Sequence, residues 1–292
     1  MRIFLAVLFL FLCAVIYRVA LDTLSCKDGT FSYETYLKHW IQVVSDDNHF
    51  MNYGLWDEEH TTLHEANENL VSTILDMSGL RTRTEGSVLD VGCGYGEQDR
   101  SWAQELGTGI KITAIDISSQ QIRSAKAANT DASVYFEQCD ALEIAERYSS
   151  GQFDTVLSVE SAFHYPDRPR FFKGVHTVLK PGGTFVICDI VCASKTPTFL
   201  QRLVMKLFSD FLSMPGVNMI TGDVWDETLR SSGLELVEVR DITANTFNPY
   251  YRHFFNEYVR KKGLPSIVGT GLAEFSCAGQ PFSYRIAVCK KV

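Results

Sequence analysis

The chain has 292 residues, 46% apolar and 21% charged, which excludes a disordered or low-complexity protein and leaves enough apolar mass for a full α/β core. A net charge of −8, with no run of Lys or Arg, argues against a nucleic-acid partner. The eight cysteines have no CxxC spacing and read as small hydrophobes of a reducing compartment rather than as a disulfide frame.

The first element is an unbroken apolar run, Ile3 to Tyr17, between Arg2 and Arg18. At the helical rise it covers only ~22 Å of a ~30 Å hydrocarbon core; extension to Leu21, with Arg18 snorkelling, makes it just long enough. Residues 1–25 are thus expected to be a membrane anchor over residues 3–21, with the catalytic domain on the cytosolic side. The alternatives are a cleaved signal, which places the domain in the secretory lumen, and a buried first helix.

Residues 26–80 read as a helical cap, with Tyr33, Tyr36, Trp40, Phe50, Tyr53 and Trp56 crowded into its first half. From Gly86 strands and helices alternate. Ser87 to Val91 is a strand that leads through glycines into a helix over Gln98 to Leu106. Ile110 to Ile115 is a strand ending on Asp116, and Ser118 opens a helix to Asn129. Val134 to Gln138 and Phe153 to Val159 are further strands, with a short helix over Ala141 to Tyr148 between them. A helix over Arg168 to Leu179 is stopped by Lys180-Pro181-Gly182-Gly183, and Thr184 to Ile190 is a buried strand. This alternation predicts βαβ crossovers and a parallel sheet covered on both faces. Beyond Val191 come an amphipathic insertion over Thr196 to Leu212, a strand over Leu234 to Ile242, an aromatic helix over Thr246 to Lys262 and a last strand over Pro281 to Cys289.

Bare backbone at Gly92, Gly94 and Gly96, straight after a strand, lets a ligand approach closely. A dinucleotide loop would have GxGxxG, but here the third glycine comes one residue early. Asp90 and Glu97 bracket the turn and would repel a pyrophosphate, whereas a ligand carrying an amino group suits them. Asp116, at the end of the second strand, is placed to accept two hydrogen bonds from vicinal ribose hydroxyls, and Asp140, at the end of the third, to meet an adenine amino group. A lone Asp in such a place is ordinarily a cap or turn residue; acids at three consecutive strand ends point to an adenosyl ligand.

The stretches VLDVGCGYGE, ITAIDISSQQI, FEQCDA, FDTVLSVESAFHYPD and VLKPGGTFVICD together resemble class I S-adenosylmethionine-dependent methyltransferases, from about Asn48 to Ile190 and beyond. The resemblance implies an α/β, Rossmann-like, seven-stranded, mostly parallel sheet whose last strand, FSYRIAVCKK, is antiparallel, with lid insertions near 196–215 and 243–271 of a domain covering 81–292. It implies S-adenosyl-L-methionine as cofactor. Gly92, Gly94 and the neighbouring backbone would then hold the methionyl part, Asp116 the ribose, and Asp140 with Ala141 the adenine. Gln121, in an S-x-x-Q similar to that of tocopherol and sterol methyltransferases, would lie near the nucleoside. Asp90, Cys93, Gly96, Ile117 and Val159 complete the expected cofactor set. The strip HFMNYGLW resembles the H-x-x-G-x-W that closes over the cofactor in the small-molecule families, where Tyr53 would reach its carboxylate; ordinary aromatic packing is the alternative.

Methyl transfer needs an aligned nucleophile, excluded water and a place for one proton. The fourth strand offers Glu160, Ser161 and His164 at the sheet edge where such folds place chemistry. His164 is the candidate proton acceptor and Glu160 its orienting partner, or a group that steadies a developing cation; alternatively His164 caps the following turn. V-E-x-x-x-H segments occur in sterol, prenylquinone and polyketide-lipid methyltransferases. Phe163 stands where cyclopropane synthases have a second Glu, so bicarbonate-assisted cyclopropanation is not expected. His60 and His64 share a helix face but lack a third ligand, and no metal is expected. The aromatic insertions and the apolar N-terminus point to a lipophilic acceptor: sterol, prenylquinone or polyketide-like. The alternatives are N-methylation of a small amine and cofactor binding without turnover.

Overall fold

The computed structural model describes residues 49–193, 196–197, 202, 205, 209, 213–261, 263, 265–278 and 281–292. The expected anchor, the cap residues before 49 and much of the 196–215 insertion lie outside the described residues. Among the described residues no helix is long and apolar enough to cross a membrane. The chain divides into two compact units, Phe50–Tyr250 with Cys277–Val292, and Met1–His49 with Tyr251–Ser276.

The larger unit is built on seven strands: β1 (Gly86–Val91), β2 (Ile110–Asp116), β3 (Val134–Gln138), β4 (Phe153–Val159), β5 (Leu179–Cys192), β6 (Leu234–Asp241) and β7 (Phe282–Lys291). Their order is β3-β2-β1-β4-β5-β7-β6. β1 pairs in parallel with both β2 and β4, and β2 with β3 and β4 with β5 likewise; β7 runs antiparallel between β5 and β6. The mostly parallel sheet with an antiparallel last strand is the one the sequence predicts. Strand order reverses between β1 and β4, which opens a crevice at their carboxyl ends.

Helices cover both faces, as two-sided burial of the strands requires. The first, α1 (Leu63–Ser78), begins at a Thr62–Glu65 capping box and ends on Gly79 in the left-handed region. Its stripe of Ala66, Leu70, Val71, Ile74 and Leu75 is buried. α2 (Glu97–Leu106) locks onto α1 through Trp102, whose Nε1 donates to Val71 O at 2.9 Å. α3 (Ser119–Ala128) packs beside β2 and β3. On the opposite face Ile144 of the short α4 (Ile144–Arg147), Phe171, Phe172, Val175 and Val178 of α5 (Arg168–Val178), and Trp225 and Leu229 of α6 (Gly222–Ser231) form one cluster with Leu89, Val156, Phe185 and Ile187 of the strands.

Three features differ from the sequence expectations. Residues 63–78, expected in a separate cap, belong to the unit that holds the sheet, because the apolar stripe of α1 is buried against it. Lys180 to Gly183 do not break the chain before β5. They lie within it as an irregularity, Phe153 facing Leu179 and Thr155 facing Thr184. Helix α6, which buries Trp225 and Leu229, lies in a stretch for which the sequence reading assigns no element.

The smaller unit holds residues 251–261 of α7 (Phe247–Lys261) and residues 266–276 of α8 (Ser266–Ala278). Within the smaller unit the two approach at Gly269, where a Cβ would meet Phe255 O and Val259 Cγ2 at 2.9 Å, and Arg252 pairs with Glu274 at 3.0 Å. The described cysteines are free thiols. His60 pairs with Asp57 and His64 with Glu68, and among the described residues no cluster of ligands could hold a metal.

Because α1 shares the sheet's core, Ile74→Ala is expected to cost about 2–5 kcal/mol. It should lower the midpoint of a single denaturant transition that reports the whole larger unit; a separate early transition would show that α1 folds apart from the sheet.

Candidate active site

The turn after β1 carries Gly92, Gly94 and Gly96 at φ of +87°, +57° and +73°. They are bare for different reasons. A Cβ on Gly92 would overlap Ser161, and one on Gly96 would overlap the Phe136 ring, so the fold itself demands glycine at both. A Cβ on Gly94 would make only ordinary contacts, with Met51 Sδ at 3.5 Å and Gln121 Nε2 at 3.8 Å. Gly94 is the position at which the crevice side of the turn stays open.

The carboxylate of Asp116, at the end of β2, is aimed at this same residue. Gly94 N–H donates to Asp116 Oδ2 at 3.1 Å, and Ser118 N–H donates to Oδ1 at 2.8 Å. Burial raises its pKa against these bonds. Ile117 N–H also bears on it, and of about four acceptor positions on a carboxylate three donors leave one for a ligand hydroxyl. Ile117, next to it, is 66% exposed, whereas Gln121 is buried on α3 with Nε2 3.1 Å from Met51 Sδ. Asp140 Oδ1 accepts Leu142 N–H at 2.9 Å and so caps the turn after β3, beside buried Ala141.

Other expected residues stand behind the turn. Asp90 is wholly buried, with Gln98 Nε2 donating to its Oδ2 at 2.6 Å. Burial pushes it up to about 7. Asp99 of α2, also wholly buried, is held well above the usual carboxylate range by burial and by Asp90. Cys93 is buried and its thiol pushed well up, so it is inert packing at neutral pH. Val159 is buried at the end of β4.

Past β4 the backbone turns sharply. Glu160 sits at φ +51°, a region costly for a residue with a side chain, and donates its N–H to Cys188 O at 2.9 Å. Its carboxyl accepts Tyr53 N–H at 2.6 Å. Burial pushes its pKa up to about 8, with Asp189 adding repulsion and the Tyr284 and Tyr53 hydrogen bonds opposing. The strip that supplies Tyr53 is well fixed. Asn67 Nδ2 donates to Asn52 O and Oδ1 at 2.6 and 2.7 Å, Leu55 N–H to Ala66 O at 2.8 Å, and Trp56 N–H to Asn245 O at 2.8 Å. The Tyr53 ring packs edge-on against Tyr250 and Phe247, with centroids at 4.6 and 5.3 Å.

Ser161 Oγ donates to Val91 O at 2.8 Å and meets Ser158 Oγ and Tyr165 OH at 2.9 Å each, binding β4 to β1. His164 ends a single helical turn, Ala162–His164, and its ring lies 4.0 Å from that of Phe163. The Glu160 carboxyl accepts Tyr53 N–H, so its observed work is to hold the Tyr53 strip. Sequence reasoning missed two buried groups around this turn. Arg168 Nε donates to Ala162 O at 3.1 Å, and its guanidinium pairs with Asp189 at 3.4 Å. Asn218 Nδ2 donates to Phe163 O at 2.9 Å and Tyr165 O at 2.7 Å. Nothing local in the sequence signals that this Arg is buried.

Residues 83–231 match the family described as a methyltransferase domain. The chain is 30% identical over 218 residues to the erythromycin 3''-O-methyltransferase of Saccharopolyspora erythraea, covering 71% of this chain and 69% of that protein. It is 32% identical over 202 residues to the 2-methyl-6-phytyl-1,4-hydroquinone methyltransferase of a Synechocystis species, covering 67% and 62%. A crystal structure of a putative sarcosine dimethylglycine methyltransferase from Galdieria sulphuraria superposes with a TM-score of 0.70 at 18% identity, covering 87% of this chain and 97% of that one.

Glu160 provides a pH test. Its pKa is near 8 in the fold against 4.5 as the ordinary value, so between those limits the folded state binds the extra proton and stability falls as pH rises. Glu160→Gln should therefore melt higher than the wild type above about pH 8, and the difference should shrink as pH falls toward 4.5. A pH-independent difference would show that the carboxyl does not titrate in this range.

Proposed function

The chain belongs to the class I S-adenosylmethionine-dependent methyltransferases, and we propose that its acceptor is an oxygen on a bulky, largely apolar small molecule. S-adenosyl-L-methionine is the cofactor; when bound it supplies a methyl group on positively charged sulfur, already activated for displacement. In this reading Asp116 accepts the ribose hydroxyls, Gly94 and its neighbouring peptide hold the methionyl part, and Ile117, Gln121, Asp140 and Ala141 surround the base. The observation that carries it is the Gly94–Asp116 pair: an open-faced glycine donating to a carboxylate that keeps an acceptor position for a ribose hydroxyl.

On the receiving side His164 takes the proton from the acceptor hydroxyl, a task suited to an imidazole near neutral pH. Glu160, raised to about 8, is largely protonated at neutral pH, so it serves as a neutral anchor rather than as the base. The acceptor class is supported by relatives named for an oxygen of erythromycin and for a phytyl hydroquinone. Phe247 and Tyr250, packed on the ring of Tyr53 whose N–H Glu160 accepts, suit an apolar body. The apolar run at 3–21 supports placing the enzyme on a membrane, its catalytic domain on the cytosolic side, next to the phase where such molecules dissolve.

The purified chain, given methyl-labelled cofactor and a panel of a macrolide, a prenylated hydroquinone and sarcosine, should label an oxygen of the first or second; label on the amine alone would overturn the acceptor class. Asp116→Ala should weaken cofactor binding at least roughly tenfold, since charge-assisted bonds are lost. Unchanged calorimetric affinity would remove the ribose role. His164→Ala should lower turnover while leaving cofactor affinity within about twofold; undiminished transfer would leave His164 structural.

A further inference from the structure

We propose that Asn218 is a positioning residue for His164, fixing from a distant segment the turn that presents the imidazole. The proposal rests on the reading of His164 as proton acceptor. The turn Ala162–His164 is three residues long and holds itself by two bonds, His164 N–H to Ser161 O at 3.0 Å and Tyr165 N–H to Ala162 O at 3.1 Å. It follows directly on Glu160, whose φ of +51° is itself costly. So short a turn needs outside support to keep one geometry.

That support is placed around His164. The carboxamide of Asn218 is buried and spends both its hydrogens on the carbonyls one residue before and one residue after it, Phe163 O and Tyr165 O. Because both partners accept only, the end facing them must be the NH₂. Phe163, whose carbonyl is held, is also the ring against which the imidazole packs. Arg168 holds the adjacent carbonyl, Ala162 O, and reaches back to Ile190 O at 3.0 Å.

Asn218 is in turn fixed to the sheet. It closes the turn Gly216–Asn218 with its N–H on Pro215 O at 2.8 Å, and Cys192 N–H donates to Ile220 O at 2.8 Å. The end of β5 thereby sets where Asn218 stands, and Asn218 sets where the His164 turn stands. A buried donor pair that loses its hydrogens leaves two carbonyls unsatisfied, and the turn then shifts to find partners. A displacement near 1 Å suffices to misalign a proton acceptor.

The test uses Asn218→Ala, which removes the donors, and Asn218→Asp, which keeps the shape but faces both carbonyls with oxygen. S-adenosylhomocysteine is the calorimetric probe, and NMR of the full chain with labelled histidine reads the rings. Both variants should bind the probe within about twofold of wild type, while the His164 ring resonance moves and that of His176 stays. Transfer to the prenylated hydroquinone should fall ~10–100-fold in Asn218→Ala, with no further loss when it is added to His164→Ala. An unmoved His164 ring in both variants overturns the proposal, as do losses that add in the double variant. So does loss of probe binding by both, which would make Asn218 part of the folding core. If His164→Ala alone leaves transfer intact, the proton-acceptor reading fails, and the ring resonances still decide whether Asn218 sets the turn.

Discussion

The end of β4 comes so close to the turn after β1 that Ser161 Oγ bonds to Val91 O and occupies the space a side chain at position 92 would need. This approach follows from the reversal of strand order at β1, which gives the first strand a parallel neighbour on each side. With Gly92 and Gly96 consumed by packing, Gly94 is left to present its peptide to the crevice and to tie Asp116 to it. Two contacts, Ser161 on position 92 and Phe136 on position 96, thus leave Gly94 as the glycine with room for a close approach.

Five acids stand at or behind this turn and the neighbouring strand ends. Asp90, Asp99, Asp116, Glu160 and Asp189 all have carboxyl pKa values raised chiefly by burial. Acids gathered in this way resist a phosphate nearby and favour positive charge, whose arrival stabilises their ionised forms. Asp189 is compensated from within by Arg168, Trp225 Nε1 at 3.0 Å and its neighbour's N–H, so its charge serves architecture.

What the sequence made legible was the part that local pattern controls. Asp116 could be read because a β-branched run ends on it, and the strand it ends is the one observed. The separate duties of the glycines could not, because they are set by Ser161 and Phe136, far away in the chain. Asn218 was illegible for the same reason: it lies more than fifty residues from the carbonyls it serves, after an insertion whose pattern read only as amphipathic. Asp140 shows the converse hazard. Its position at a strand end suggested a ligand, while its carboxylate also caps the turn that follows, and a cap leaves the same mark in sequence.

Glu160 joins these levels. The left-handed backbone that aims the chain from β4 into the His164 turn costs of order 1–3 kcal/mol, and two bonds made by the same residue offset it. Its N–H meets Cys188 O, and its carboxyl meets Tyr53 N–H, so the strain is held against β5 on one side and against the strip at 50–56 on the other. A glycine would relieve the strain but would surrender the bond to the strip; an aspartate would reach less far. The raised pKa follows from this duty: a carboxyl used as a clasp under aromatic rings must shed water, and it keeps its proton as a consequence. Burial that orders the strip thus also keeps Glu160 largely protonated near neutral pH, and the carboxyl serves as a clasp.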